Sequence, residues 1–316
     1  MESKKRALIC GSMAYDTIMV FEDKFRNHIL PDKVHMLNVS FLVPGMRREF
    51  GGCAGNIAYN LKLLGGDPLI MATVGDDFDP YANWLDKNKI DRTHVRQIKD
   101  AFTGQAFITT DMEDNQITAF HPGAMSRSDK NTVRMAKNVG IGIVSPDGRD
   151  GMIEHAAQFA KLGIPFVFDP GQGLPMFDGS DLEQFIKQAN FMVVNDYEAQ
   201  MIENQTGREI GLIARDLEML LVTKGAKGAS MYTEGRITEI PAAPIGTALD
   251  PTGCGDALRG GLLYGYLNGL DWETSALIGS LLGAVKIESV GPQNHKFSKK
   301  AFCERFSTSF GRKLKL

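Results

Sequence analysis

The sequence predicts an α/β fold: a doubly wound, mainly parallel sheet with a small β-rich lid inserted into it. Three observations carry that expectation. Short β-rich apolar runs recur along the chain, segments with helical spacing lie between them, and two stretches of apolar and polar alternation interrupt the rhythm. Runs that are apolar throughout suit a parallel sheet covered by helices on both sides, because neither face of such a sheet meets water.

In chain order, the strand runs are "ALIC" at 7–10, "LIMATV" at 69–74, "IGIVS" at 141–145, "FVFD" at 166–169, "FMVVN" at 191–195 and "LLVT" at 220–223. Between them, 55–64 places Ile57, Leu61 and Leu64 at spacings of four and three, and 151–162 places Ile153, Ala156, Ala157 and Ala160 likewise. Residues 12–50 and 100–125 read differently. "GQAFITTDMEDNQITAF" alternates as two strands around an acidic turn, the pattern of a hairpin. The two segments are apart in sequence yet able to pair, so they are expected to form one lid inside a single 1–316 domain. A solvated edge hairpin is the other reading of each.

At 316 residues and 43% hydrophobic content the chain can build a substantial core. Its 35 Lys and Arg against 38 Asp and Glu leave a formal charge of −3, so no global basic field points to nucleic acid or an acidic membrane. No run of about 18 apolar residues suggests a membrane span. Cys10, Cys53, Cys254 and Cys303 lie far apart without a Cys-x-x-Cys pair, which argues against structural zinc or a disulfide framework and fits a reducing, cytoplasmic setting. The six histidines form no close ligand pair. No G-x-G-x-x-G follows "ALIC", which speaks against a dinucleotide-binding oxidoreductase.

Four local patterns could carry chemistry. In "ALDPTGCGDALRGGLLYGY", Asp250-Pro251-Thr252 turns the chain, and Gly253-Cys254-Gly255 is expected to present consecutive amides. Asp256 then stands in the first turn of a helix running through Leu258, Leu262 and Tyr266. A helix start of this kind holds an anion, since its N–H groups are unpaired and carry partial positive charge. An acidic cap would explain Asp256 alone, but two aspartates flanking a glycine turn exceed what one cap requires.

In "FGGCAGNIAYN", Gly51, Gly52 and Gly55 allow close backbone approach and Asn56 can donate and accept at a helix start; a cap and tight turn is the plainer reading. Asn195 and Glu198 in "NDYEAQM" fall three apart and could orient hydrated Mg²⁺, although a capping box accounts for the tetrad by itself. Thr223, Lys224 and Gly225 end a strand, where ligands usually sit in open α/β sheets, and where surface turns also occur.

Taken together and in this order, "GSMAYD", the GG-x-x-x-N helix entry, N-x-x-E, TKG and the late D-x-T-G-x-GD resemble the PfkB, or ribokinase-like, carbohydrate kinase family, over residues 7 to 291 or so. The resemblance implies the doubly wound fold with a β lid, and transfer of the γ-phosphate of ATP to an alcohol. Asp256 then matches the catalytic base, and Gly253, Cys254 and Gly255 the anion hole. Asn195 and Glu198 would hold Mg²⁺ through water, and Thr223 and Gly225 would line the nucleotide. Asp250 and Thr252 match a loop associated with a monovalent cation such as K⁺. Asp16, Gly52 and Asn56 match the acceptor-binding positions.

Departures narrow the acceptor. Cys254 replaces the usual alanine, and Ala14 stands where many sugar kinases carry Asn. The lid aromatics Phe41, Phe102, Phe107 and Phe120 look more like the adenosine and nucleoside kinase branch, each of them equally a candidate for lid core. The resemblance thus implies phosphorylation of the 5′-hydroxyl of a nucleoside, adenosine first, and with it purine salvage. The alternative is a kinase of ribose, fructose or a related (phospho)sugar, for which Arg47 and Arg48 would supply cations. An exposed lid edge would offer a surface for a homodimer.

Overall fold

The computed structural model describes residues 5–29, 35, 36, 38–113 and 115–316. From the N-terminus, β1 (Arg6–Cys10) is followed by β2 (Ala14–Val20), β3 (Gly45–Gly51), α1 (Cys53–Leu63) and β4 (Pro68–Val74). Next come α2 (Asp79–Lys87), β5 (Asp91–Gln97), β6 (Gly104–Thr110) and β7 (Gln116–His121). The chain then alternates through β8 (Val139–Val144), α3 (Arg149–Leu162), β9 (Phe166–Phe168), α4 (Gly179–Gln188), β10 (Phe191–Asn195), α5 (Asp196–Thr206), α6 (Ile210–Ile213) and β11 (Met219–Thr223). The last elements are β12 (Ala229–Thr233), β13 (Arg236–Ile240), α7 (Cys254–Leu267), α8 (Trp272–Ile287) and α9 (Lys299–Phe310).

All six apolar runs join one sheet, in the order β13-β12-β11-β10-β9-β8-β1-β4-β5. The seven strands from β11 to β5 pair in parallel, and β12 and β13 extend the sheet as an antiparallel meander. Successive side chains of a strand point to opposite faces, and here both faces are covered. Ala7 and Ile9 of β1 and Phe191 and Val193 of β10 enter the core formed with α1, α7 and α8. Leu8 and Cys10, and Met192 and Val194, enter the opposite core with Phe159 of α3 and Phe185 of α4. Each fully buried Leu, Ile, Val, Phe or Met among them contributes roughly 1.5–3 kcal/mol, which favours runs without polar alternation.

Strands β5, β12 and β13 escape the sequence reading because they lie at the sheet's margins. β5, "DRTHVRQ", is an edge strand whose charged side chains meet water, and such charges also discourage pairing with another chain.

The lid is a separate four-stranded sheet, β3-β2-β6-β7. β2 pairs antiparallel with β3 and parallel with β6, and β6 and β7 form the expected hairpin. Its acidic turn is organised by Asp111, which accepts from the Glu113 and Asn115 amides at 2.9 Å each and from the Phe25 amide at 2.9 Å, joining the two lid segments. Within the first segment, residues 30–34 and 37 lie outside the described residues.

Glycines let α7 lie directly on its neighbours. A Cβ at Gly260 would stand 2.9 Å from Asn60 Cβ of α1, and one at Gly261 would stand 2.5 Å from the Gly279 Cα of α8. This seating sets where the α7 N-terminus emerges, at the carboxyl ends of the parallel strands. Gly261→Val should therefore lower stability by about 1–3 kcal/mol through overpacking against backbone. Gly211→Ala, whose Cβ would meet nothing within 4 Å, should change stability by less than about 0.5 kcal/mol; urea melts of the two variants check this contrast.

Candidate active site

The α7 entry has the strained geometry its composition suggests. Gly253, the N-cap residue, sits at φ 81°, a left-handed conformation that disfavours any side chain. Ala257 donates to the Gly253 carbonyl at 2.9 Å. One expectation is corrected: the Cys254 amide is not free for a ligand, because it donates to the Pro251 carbonyl at 3.1 Å to close the turn. Gly52 makes a second tight entry at φ 82°, where a Cβ would fall 2.5 Å from the Ser12 carbonyl.

Asp256 and Asn56, separated by 200 positions, meet here: the Asn56 Nδ2 donates to Asp256 Oδ2 at 2.8 Å. Asn56 is itself oriented. Gln293 Nε2 donates to Asn56 Oδ1 at 3.0 Å, and Trp84 Nε1 donates to Gln293 Oε1 at 2.8 Å. The indole N–H, which only donates, thus sets each amide in turn and aims the Asn56 N–H at the carboxylate. Gln293 is 2% exposed, so it has no competing solvent partner.

The electrostatics follow from enclosure. Burial pushes the Asp256 carboxyl up to about 6, against the Asn56 hydrogen bond and the Arg259 charge, which favour its ionised form. Asp16 is also raised to about 6, first by burial and then by Asp256, Glu49 and Asp250. One turn beyond Asp256, Arg259 pairs with Asp169 at 2.7 Å, and Ser145 Oγ donates to the other Asp169 oxygen at 3.0 Å. Burial alone would ease the proton off Arg259, but Asp169 holds its pKa well above the ordinary value.

Two cavities flank the 251–256 turn. One of about 550 Å³ is lined by Asp16, Gly52, Asn56, Gly253 and Asp256 together with lid residues of β6 and β7. The other, about 520 Å³, is lined by Thr223, Gly225, Pro251, Cys254 and Gly255 and by the facing side of α8. A larger depression of about 1140 Å³ lies at the other end of the strands, around Pro165, Lys187 and Asn190, and holds none of these groups.

The remaining sequence candidates divide. Asn195 and Glu198 form the full capping box at the start of α5: Asn195 Oδ1 accepts from the Glu198 amide and Glu198 Oε2 from the Asn195 amide, both at 2.8 Å. Burial raises the Glu198 carboxyl, and the charge of Arg259 opposes that rise. Asp250 and Thr252 do not present an open loop. Asp250 accepts from the Thr252 and Gly291 amides at 2.9 and 2.8 Å, and its carbonyl accepts from the buried Lys286 ammonium at 2.7 Å.

Of the four lid aromatics, Phe120 lines the first cavity, Phe41 packs on Phe21 and Phe25, Phe102 is exposed with its ring edge-on to His121, and Phe107 is partly exposed and lines neither cavity. Arg47 pairs with Glu49, and Arg48 stacks 3.6 Å over the Tyr15 ring; neither lines either of these two cavities.

Sequence reasoning missed Gln293, Trp84, Lys286 and Asp147. Asp147 lines the first cavity, its Oδ2 is buried without a partner, and burial pushes its carboxyl up to about 8. No local spacing marks these residues; each gains its surroundings from segments distant in the chain. Among the described residues no cluster of three or more His, Cys, Asp or Glu could hold a metal, and no helix is long and apolar enough to cross a membrane.

Known proteins with the same architecture bear on this site. A nucleoside kinase of Methanocaldococcus jannaschii is 32% identical over 260 residues, covering 82% of this chain and 85% of that protein. The solved structure of Burkholderia thailandensis nucleoside kinase in complex with inosine matches with a TM-score of 0.90 at 48% identity, covering 98% of this chain and 100% of that one. The same enzyme in complex with ADP-inosine matches with a TM-score of 0.86 at 50% identity, over 98% of this chain and 97% of that one. Residues 16–299 match the model of the pfkB family carbohydrate kinase, and with nine-tenths of the sequence inside that match the chain belongs to the pfkB family.

Proposed function

We propose that this protein is an ATP-dependent nucleoside kinase that phosphorylates the 5′-hydroxyl of purine nucleosides. The observation that carries the reading is the position of the 251–256 turn between two cavities, with Asp256 facing one and Gly255 the other. A group transferred from a donor in the second cavity to an acceptor in the first must pass this turn.

The acceptor cavity is lined by both polar and apolar groups. Asp16, Gly52 and Asn56 are suited to the hydroxyls of a ribose, leaving its 5′-oxygen toward Asp256. Ile108, Phe120, Met125 and Met176 offer apolar surface to a flat base, with Gln172 as a further polar group. A free pentose would leave that apolar surface uncovered. A phosphosugar would need cations that Arg47 and Arg48, engaged elsewhere, do not supply. The Burkholderia relative was solved with inosine, so the reading extends beyond adenosine to purine nucleosides. Asp147, whose carboxyl burial pushes up to about 8, lines the same cavity.

Asp256 orients the attacking hydroxyl and accepts its proton, while the amides of Gly253 and Gly255 and the start of α7 face the charge on the transferred phosphoryl group. In a loose transition state the proton leaves late, so an ionised aspartate is a sufficient base. Mg²⁺ accompanying ATP would neutralise its phosphates. Such a hydrated ion needs one or two carboxylates besides the phosphates, and Glu198, with Oε1 outside its capping box, and Asn195 fit that part through water. Thr223 and Gly225 would border the nucleotide.

Purified protein with Mg²⁺ and ATP should release ADP in the presence of inosine or adenosine, with much weaker release for ribose, fructose or fructose 6-phosphate; a preference for a sugar would overturn the nucleoside assignment. Asp256→Asn should lower kcat by about 10²–10⁴ while nucleoside affinity by calorimetry stays within a few-fold.

The same substitution should raise Tm. The folded carboxyl holds its proton to about 6 against a reference of 3.8, so its ionisation opposes folding above that range and the penalty fades as pH falls from 6 toward 3.8. At pH 8 the variant should therefore melt about 2–4 °C higher. Turnover has the opposite dependence, because it needs the carboxylate. kcat/KM should be level above pH 7 and drop about tenfold per unit below pH 6; a profile flat down to pH 5 would remove Asp256 from the base role.

A further inference from the structure

Lys286, in the last turn of α8, is completely buried. Its ammonium donates to the Asp250 carbonyl at 2.7 Å and to the Ser289 carbonyl at 3.1 Å, and stands 4.0 Å from the Asp250 carboxylate. That carboxylate accepts from the Thr252 and Gly291 amides, and the Leu249 and Asp250 amides donate to the Ile287 carbonyl at 2.8 and 3.1 Å. The segment leading into the 251–256 turn is thus fastened to the end of α8 around one buried positive centre.

Carbonyl and carboxylate oxygens gathered in this way form the donor set of a monovalent cation, which is what the family resemblance implies for Asp250 and Thr252. The residues present do not fit an added ion. The place among these oxygens is taken by a side chain whose polar atoms only donate, and a second cation set there would face a like charge at contact distance in a buried site. We propose that Lys286 is a built-in cation that replaces exchangeable K⁺ in positioning the Asp250–Gly253 segment, so that phosphoryl transfer by this protein needs no monovalent ion. The proposal rests on the kinase reading only for its effect on turnover. The side chain acts through the turn and is a positioning residue.

The test compares wild type, Lys286→Ala and Lys286→Met in buffers whose monovalent cation is K⁺, NH₄⁺ or tetramethylammonium, reading Tm and nucleoside-dependent ADP release. Wild type should show the same Tm and kcat in all three. Lys286→Ala, which opens a space for an ion, should lose at least tenfold in kcat with KM for the nucleoside within threefold, and K⁺ or NH₄⁺ should restore Tm and kcat saturably where tetramethylammonium does not. Lys286→Met, which fills the space without a charge, should show the same loss and no restoration. A wild-type Tm or kcat that rises with K⁺ overturns the proposal, as does a Lys286→Ala variant that keeps full kcat or that no small cation restores. If Lys286→Ala does not fold, the wild-type series alone decides. Absence of turnover with every nucleoside would defeat the functional reading, whereas the response of Tm to K⁺ would still decide the role of Lys286.

Discussion

The direct contact of α7 with α1 and α8 is the constraint on which the site depends. Gly260 and Gly261 leave no side chain at the contact, so the helix backbone rests against Asn60 and Gly279. A helix held this closely has little freedom to slide, and its first turn is delivered to one place at the carboxyl ends of the strands. Asn56, on α1, is set by the same packing. The Asn56 to Asp256 hydrogen bond therefore closes a frame that the helices have already determined.

Charge in this region is balanced in pairs. Asp169 has Arg259, and Asp250 has Lys286 and two backbone amides, so each of these buried charges has a partner. Asp250 shows the consequence: burial works against its charge, yet the Gly291 and Thr252 amides and Lys286 hold its carboxyl below the usual range. Asp16 and Asp256 have no such close cation, and both are raised to about 6. Both line the first cavity, as does Asp147, which burial raises further, to about 8.

The lid shares its supports with this frame. β2 carries Asp16, and Tyr81 donates to the Gly51 carbonyl at 2.8 Å while accepting from Gln293 at 2.6 Å. The amide that orients Asn56 thus also touches the hydroxyl that holds the end of β3. The end of the lid strand β3 and the Asn56–Asp256 pair are thus linked through Tyr81 and Gln293.

The amino-acid sequence by itself determined the sheet and the turn, because both are local properties. Runs such as "FMVVN" suit burial on both faces in a covered parallel sheet, and the glycine turn of Gly253 to Asp256 marks a tight helix start wherever that helix lies. The lid hairpin around Asp111 was legible for the same reason. Only the tertiary structure decided which groups surround the turn. Gln293 is an ordinary polar residue in "GPQNH" until packing removes its water and leaves Asn56, Tyr81 and Trp84 as its partners. Lys286 looks like the basic end of a helix until the loop from Asp250 folds over it. Phe41 and Phe120 are equivalent aromatics on paper, yet Phe41, in the chain ahead of β3, packs on Phe21 and Phe25, while Phe120, on β7, lines the cavity wall. Hydrogen-bond partners and desolvation are set by residues tens to hundreds of positions away, so no local pattern encodes them.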